Sequence, residues 1–466
     1  MNTDPSTSFL RSTSVQITLK LALITLLVLF LMIPKFMILD LITERENLSH
    51  QVTDEVAAGW GNSQISTGPV LVIPYNEWLE SAGEDKKKYT IRKNLFVFPE
   101  ELKTSGNLDT QEKYKSIYKV LLYQTQLDVQ GSFIIPNDTL TGINRENLLL
   151  NEAVIIHGIS DIKGMKSLVD MKVNGLSFVC KPGLDGQSFT LQNIPFAYNQ
   201  TQMENSTGTQ GVINSGIFAQ LRNIDLSPGK TLSFSYKLHL NGSRYLYFTP
   251  VGKTTDVNLK STFPDPSFAG AYLPEHTTTR DGFDAKWSVL EYNKNLPEFI
   301  KSAEAIPLGA SSFGVEIRDM VSHYGVTYRT GKYMILFLVL TFLVVFLTEI
   351  VYRLRIHIFQ YTLIGLALAL FFTLLLSFSE FIGYMPAYII AASATIILIY
   401  LYSLSVFRHK KSSSILLGLL LSLFTYIYLI IQMEKMALLA GTIGLFVFLA
   451  ATMYVTRKIK WYEDKD

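Results

Sequence analysis

Residues 333–456 carry five long apolar runs in succession, separated only by short charged breaks, and a sixth apolar run lies near the N-terminus. The stretches 358–379, 381–407, 412–433 and 436–456 hold no Asp, Glu, Lys or Arg. Each reaches the ~20 residues that a helix needs to cross ~30 Å of hydrocarbon. The run from Tyr333 is interrupted only by Glu349. The first begins near Ile17 and ends around Leu39, with Pro34 and Lys35 inside it. A removable signal peptide competes for that segment, with Lys20 as its basic flank. A retained anchor is the preferred reading, because no small-x-small cleavage pattern follows before Asp40 and Lys35 can snorkel to the headgroups.

Lys and Arg in short loops stay on the cytoplasmic side, whereas long loops cross largely regardless of charge. Arg11 and Lys20 precede the first run, Arg353 and Arg355 divide the second from the third, Arg408, Lys410 and Lys411 divide the fourth from the fifth, and Arg457, Lys458 and Lys460 follow the last. The sequence therefore predicts a polytopic α-helical protein of six spans with a large mainly-β, sandwich-like extracytoplasmic domain between spans one and two. Its parts are a cytoplasmic N-terminus (1–16), span one (17–39), the extracytoplasmic domain (40–332), five spans (333–352, 358–378, 383–407, 413–433, 436–456) and a cytoplasmic tail (457–466).

The balance of 41 basic to 39 acidic residues gives no field suited to nucleic acid. A single cysteine, Cys180, leaves the outer domain without an internal disulfide, so a hydrophobic core must hold it. After a polar helix over 42–59 the apolar period changes to two, with candidate strands at 70–73, 95–98, 118–129, 153–156, 167–179 and 233–240. The clearest alternation is Phe234, Tyr236, Leu238 and Leu240 on one face against Ser235, Lys237 and His239 on the other. Asn241-Gly242-Ser243 then supplies turn chemistry for a hairpin with the apolar strand at 245–248. The proline-marked stretch 263–274 lacks the N–H groups of a central strand and is expected to wrap a sheet edge or form a loop.

Several segments in fixed order carry a resemblance: Gln64 before Gly68-Pro69, Ser160-Asp161 with Gly164, Asn241-Gly242-Ser243, Pro266 with Phe268, Ile356-His357 with Gln360-Tyr361, and the run from Gly365 to Glu380. Together they resemble the CreD family of bacterial inner membrane proteins, the cell envelope integrity family, along nearly the whole chain. Two departures stand out. His357 is followed by Ile358 where relatives usually have Pro, and Lys115-Ser116-Ile117-Tyr118 replaces the usual Arg-Gly-Ile-Tyr. The resemblance implies a large periplasmic β domain and a part in envelope integrity and in responses to cell-wall stress, including β-lactam exposure. It implies no chemistry. Gly68, Pro69, Ser160, Asp161, Gly242, Ser243, Pro266 and Phe268 are the motif positions it marks.

Local motifs for catalysis are missing. Gly252-Lys253-Thr254-Thr255 imitates the end of a phosphate loop, but position 247 is Tyr where that loop needs Gly. The seven histidines form no metal-ligand spacing, and Ser160-Asp161 has no neighbouring base and suits a turn cap. No cofactor, metal or enzymatic activity is expected. Ionisable groups at membrane depth say more. Glu349 stands four residues before Arg353, which suits an ion pair, or with His357 a coupling site. Glu380 closes the third span as a solvated carboxylate or a contact for the outer domain or a substrate headgroup. The leading expectation is a periplasmic domain that binds or senses an envelope component. The alternatives are a permease-like or lipid-handling machine and an envelope hydrolase, and the oligomeric state stays open.

Overall fold

The computed structural model describes residues 13–80, 88–192, 210–294, 296–302, 305–309, 312–317, 323–352, 354–407, 410–433 and 436–457. Among the sequence markers, Arg11, Arg353, Arg408, Lys458 and Lys460, most of the N-terminal segment 1–16 and most of the tail 457–466 lie outside these residues. The chain divides into two compact units: Met1–Gln51 with Val321–Asp466, and Val52–Met320.

The first unit is helical. Helix α1 (Thr13–Trp60) runs for 48 residues through Pro34. The expected first span and the polar helix after it are thus one continuous helix, and no glycine or further proline interrupts 35–58. After α1 come α2 (His323–Lys332), α3 (Met334–Tyr352), α4 (Ile358–Ile382), α5 (Tyr384–Phe407), α6 (Lys410–Gln432) and α7 (Ala437–Thr456). Among the described residues, five helices are long and apolar enough to cross a membrane: α1 from Ile17, α3, α4, α5 and α6. The stretch Leu439–Tyr454 within α7 is a shorter apolar helix.

Aromatic rings from four helices lock this unit's core. Phe337 of α3 meets Phe424 of α6 edge-on at 4.6 Å, and Phe371 of α4 meets Phe424 at 4.9 Å and Tyr388 of α5 at 5.4 Å. Glycines set the close approaches of α1. A Cβ on Gly365 would fall 2.4 Å from Leu31 and one on Gly331 would fall 2.8 Å from Leu39. Leu31 is fully buried. Small residues admit this spacing, which lipid alone does not drive.

The second unit is mainly β. With strands numbered in chain order, its larger sheet runs β15 (Ser267–Gly270), β20 (Phe313–Glu316), β13 (Tyr245–Thr249), β1 (Gln64–Glu80), β5 (Val154–Ile159), β11 (Gly216–Gln220) and β8 (Lys181–Pro182). From β1 the same sheet branches through β2 (Lys88–Val97) to β18 (Phe299–Ser302). The other large sheet runs β16 (Glu275–Thr279), β17 (Gly282–Val289), β14 (Thr254–Ser261), β3 (Glu101–Lys115), β4 (Tyr118–Ile134), β12 (Thr231–Ser243), β6 (Asp170–Val173) and β7 (Leu176–Val179). A small sheet joins β10 (Gln210–Ile213), β9 (Ser188–Gln192) and β19 (Ala305–Gly309).

Apolar residues of both large sheets form one core, including Val72, Ile156, Leu127 and Leu238. The alternation of β12 is as expected, with Phe234, Tyr236, Leu238 and Leu240 buried. The stretch 167–179 is a hairpin rather than one strand, turning at Asn174-Gly175, both with positive φ (48° and 85°). The 263–274 stretch supplies β15, an edge strand.

Asn241-Gly242-Ser243 is not a hairpin turn. These residues stay in register with Gln124, Tyr123 and Leu122 of β4, and the chain crosses to the other sheet at Arg244. Glycine is required at 242 because an added Cβ would lie 2.3 Å from the Tyr123 ring. The Asn-Gly pair therefore serves a close approach.

Candidate functional site

Within the β unit, motif residues converge where α1 ends and β1 begins. The buried Gln64 donates from Nε2 to the carbonyls of Asp161 (2.9 Å) and Asn241 (3.0 Å). Ser160 accepts from the Ile65 N–H at 2.8 Å and donates to the Ser63 carbonyl at 2.9 Å. Asp161 accepts from the N–H and side-chain amide of Asn62 and caps a one-turn helix through the Lys163 N–H. Gly164 fits because a Cβ there would meet the Asn241 carbonyl at 2.4 Å. Ser160 and Asp161 therefore fasten backbone, in keeping with the turn cap expected from sequence.

The last turns of α1 join the same structure. Trp60 donates from Nε1 to the Tyr123 carbonyl at 3.3 Å, and Lys113 places its ammonium 3.7 Å from the Trp60 ring centre. Asp54 pairs with Arg244 and Glu55 with Lys115. Ser243 is buried in β12. Gly68 and Pro69 occupy a register shift between β1 and β5, where a Cβ on Gly68 would fall 3.2 Å from the His157 Cα. Pro266 precedes β15, and Phe268 on that strand packs edge-on against Phe283 (5.6 Å) and Trp287 (5.8 Å).

In the helical unit, Glu349 is buried near the end of α3. Its Oε1 takes the Lys20 ammonium of α1 and, at 3.1 Å, the N–H of Ile356. Its Oε2 accepts from the Tyr361 hydroxyl at 3.0 Å. Lys20 also donates to the Ile356 carbonyl at 2.6 Å and lies 5.7 Å from the Tyr361 ring centre. A break between helices leaves backbone groups without intrahelical partners, and both groups of Ile356 are used here to hold the two charges.

The next residues explain the motif Ile356-His357 with Gln360-Tyr361. His357 caps α4, accepting from the Phe359 N–H at Nδ1 (3.2 Å), while Gln360 accepts from the His357 N–H at 3.0 Å. The cap fixes the first turn, from which Tyr361 reaches Glu349. His357 is exposed and Glu349 buried, so proximity in sequence does not make them a bonded pair. Arg353 lies outside the described residues. Glu380 is half-buried and accepts from Tyr324 of α2 at 3.2 Å. It stands 19 residues beyond Tyr361 on α4, about 28 Å along the axis, so the two carboxylates form separate sites.

Sequence reasoning missed Lys20 as the partner of Glu349. The signal was a lysine inside an apolar run and a lone acid inside another, each needing an opposite charge. Missed as well was His157, an imidazole in the wholly buried strand β5.

The family model for the inner membrane protein CreD matches residues 16–462. The chain is 30% identical to the inner membrane protein CreD of Escherichia coli K12 over 448 residues, covering 93% of this chain and 91% of that protein. With its several apolar helices long enough to cross a bilayer, the chain belongs to the CreD family of multi-pass inner membrane proteins.

Proposed function

We propose that this protein supports envelope integrity without chemistry of its own, by binding or sensing an envelope component through a periplasmic β domain. In this reading α7 is the sixth span, both termini are cytoplasmic, and residues 40–332 lie outside. The loop charges at Arg355, Lys410 and Lys411 support that orientation.

One observation carries the reading. The strand that follows α1 and the last described strand before α2 are both neighbours of β13: β1 pairs with it in parallel and β20 antiparallel. A ligand that shifts this sheet would therefore act on both of the domain's chain connections at once. The Lys20–Glu349 pair, with its buried carboxylate and part-buried ammonium, favours a second reading, a permease-like machine, because charge at membrane depth commonly marks a transport path.

Complementation of a deletion strain under β-lactam and detergent stress separates them. The test set is the full chain, residues 1–320 alone, and Glu349→Gln and Glu380→Gln, each checked for expression and melting temperature. Rescue by 1–320 supports binding by the outer domain and overturns transport. Failure of 1–320 together with folded, inactive Gln variants overturns the binding reading.

A further inference from the structure

His157 is the centre of a polar chain that crosses the core between the two large sheets. Its Nε2 lies 2.9 Å from the Ser66 hydroxyl on β1, and its Nδ1 lies 2.7 Å from the Tyr236 hydroxyl on β12. The three residues are 6%, 1% and 4% exposed for Ser66, His157 and Tyr236. β1 and β5 belong to one sheet and β12 to the other, so this chain ties the sheets together through side chains. Ser66 sits in the four-residue segment of β1 that pairs with β13, directly after the α1 junction.

Serine and histidine at this distance are also the parts of a nucleophile and its base. At this burial a substrate carbonyl reaches Ser66 only if the sheets part, so the geometry speaks against catalysis. It suits a neutral imidazole, which has one N–H and one lone pair and is satisfied by two hydroxyls in either tautomer. An imidazolium here would be a buried charge without a counter-ion among the described residues. Burial alone lowers His157 to about 3. The titratable neighbours remain neutral: burial holds Tyr236 well above its ordinary value and pushes Cys180, beside Tyr236, up to about 12.

We propose that Ser66, His157 and Tyr236 form an acid-sensitive clasp between the two sheets, whose opening frees the strand continuous with α1. The sign follows from proton binding. The unfolded or opened chain takes up a proton at His157 below about 6.5, whereas the closed form does not until about 3. The clasp therefore holds fully above pH 6.5 and weakens steadily as pH falls toward 3. Between pH 7 and pH 5 the opening equilibrium rises about 25-fold.

Hydrogen exchange of the full chain in detergent, corrected for intrinsic exchange rates, measures this at β1, β5 and β12. The wild type should lose about 25-fold more protection between pH 7 and pH 5 than His157→Gln, whose amide bonds hydroxyls without titrating. An equal pH dependence in both overturns the clasp. Should the Gln variant not fold, imidazole ¹⁵N shifts of the labelled wild-type chain decide, with Tyr236→Phe identifying the His157 signal. A ring neutral to pH 4 supports the proposal, and folded-state titration near 6.5 overturns it.

Discussion

Glu349 in the helical unit and His157 in the β unit are both buried polar groups, yet one is held as half of an ion pair and the other as a neutral ring. The difference lies in what the local backbone can offer. At the break between α3 and α4, the N–H and carbonyl of Ile356 have no intrahelical partners and are free to bind a carboxylate and an ammonium. On β5, His157 pairs with Ile217 of β11 and faces the Gly68–Pro69 register shift of β1, and its side chain meets the hydroxyls of Ser66 and Tyr236. Buried charge is tolerated where backbone groups are aimed at it, and neutrality is imposed where hydroxyls meet the side chain instead.

The strongest test of that contrast is Glu349→Leu. It strands the Ile356 N–H and leaves the part-buried Lys20 ammonium with the Ile356 carbonyl but no counter-charge from Glu349, and should cost about 3 kcal/mol, read as a lower melting temperature in detergent. The exchange Lys20→Glu with Glu349→Lys should recover only part of this loss. The swapped charges can pair, but the Ile356 N–H would face an ammonium and its carbonyl a carboxylate. Full recovery would show that the backbone contributes nothing and would break the comparison.

Next in size are the glycines that set close approaches. Gly242→Val drives a side chain into the Tyr123 ring, whose hydroxyl donates to the Tyr245 carbonyl at 2.7 Å. Gly365→Val meets Leu31 and Phe342. Each should cost about 2 kcal/mol in thermal unfolding. The first should lower β-domain protection in hydrogen exchange, and the second should loosen α1 from α4. Asp161→Ala should cost about 1 kcal/mol on the same scale, since its carboxylate also holds backbone N–H groups but stands nearer to solvent than Glu349.

Much of this was legible in the sequence, and the limits have physical causes. Apolar runs revealed the membrane helices because bilayer thickness imposes a length, and period-two alternation revealed β12 because one face is buried. The fate of Asn241-Gly242-Ser243 was hidden, since the same dipeptide serves a turn or a close approach and only Tyr123 decides between them. Similarly, Ser160 and Asp161 showed their capping chemistry locally, but not that Gln64 would meet both them and Asn241. Lys20 and Glu349 are 329 positions apart, and spacing carries no signal at that range.

The smallest effect tests whether the carboxylate cradle is built by its own bonds or by the helix start beneath it. His357 is exposed and touches neither Glu349 nor Lys20, but it caps the turn that carries Tyr361. His357→Ala should cost about 0.5–1 kcal/mol through the lost cap, while His357→Asp, an equally good acceptor at a helix N-terminus, should be close to neutral. If the cap only starts the helix, His357→Ala and Glu349→Leu should be additive in melting temperature. If the cap aims Tyr361, the double variant should lose less than the two losses combined, because without the carboxylate there is nothing left to aim at. A non-additive result would extend the contrast by one step: charge would be held at this break by backbone groups that the neighbouring cap keeps in place.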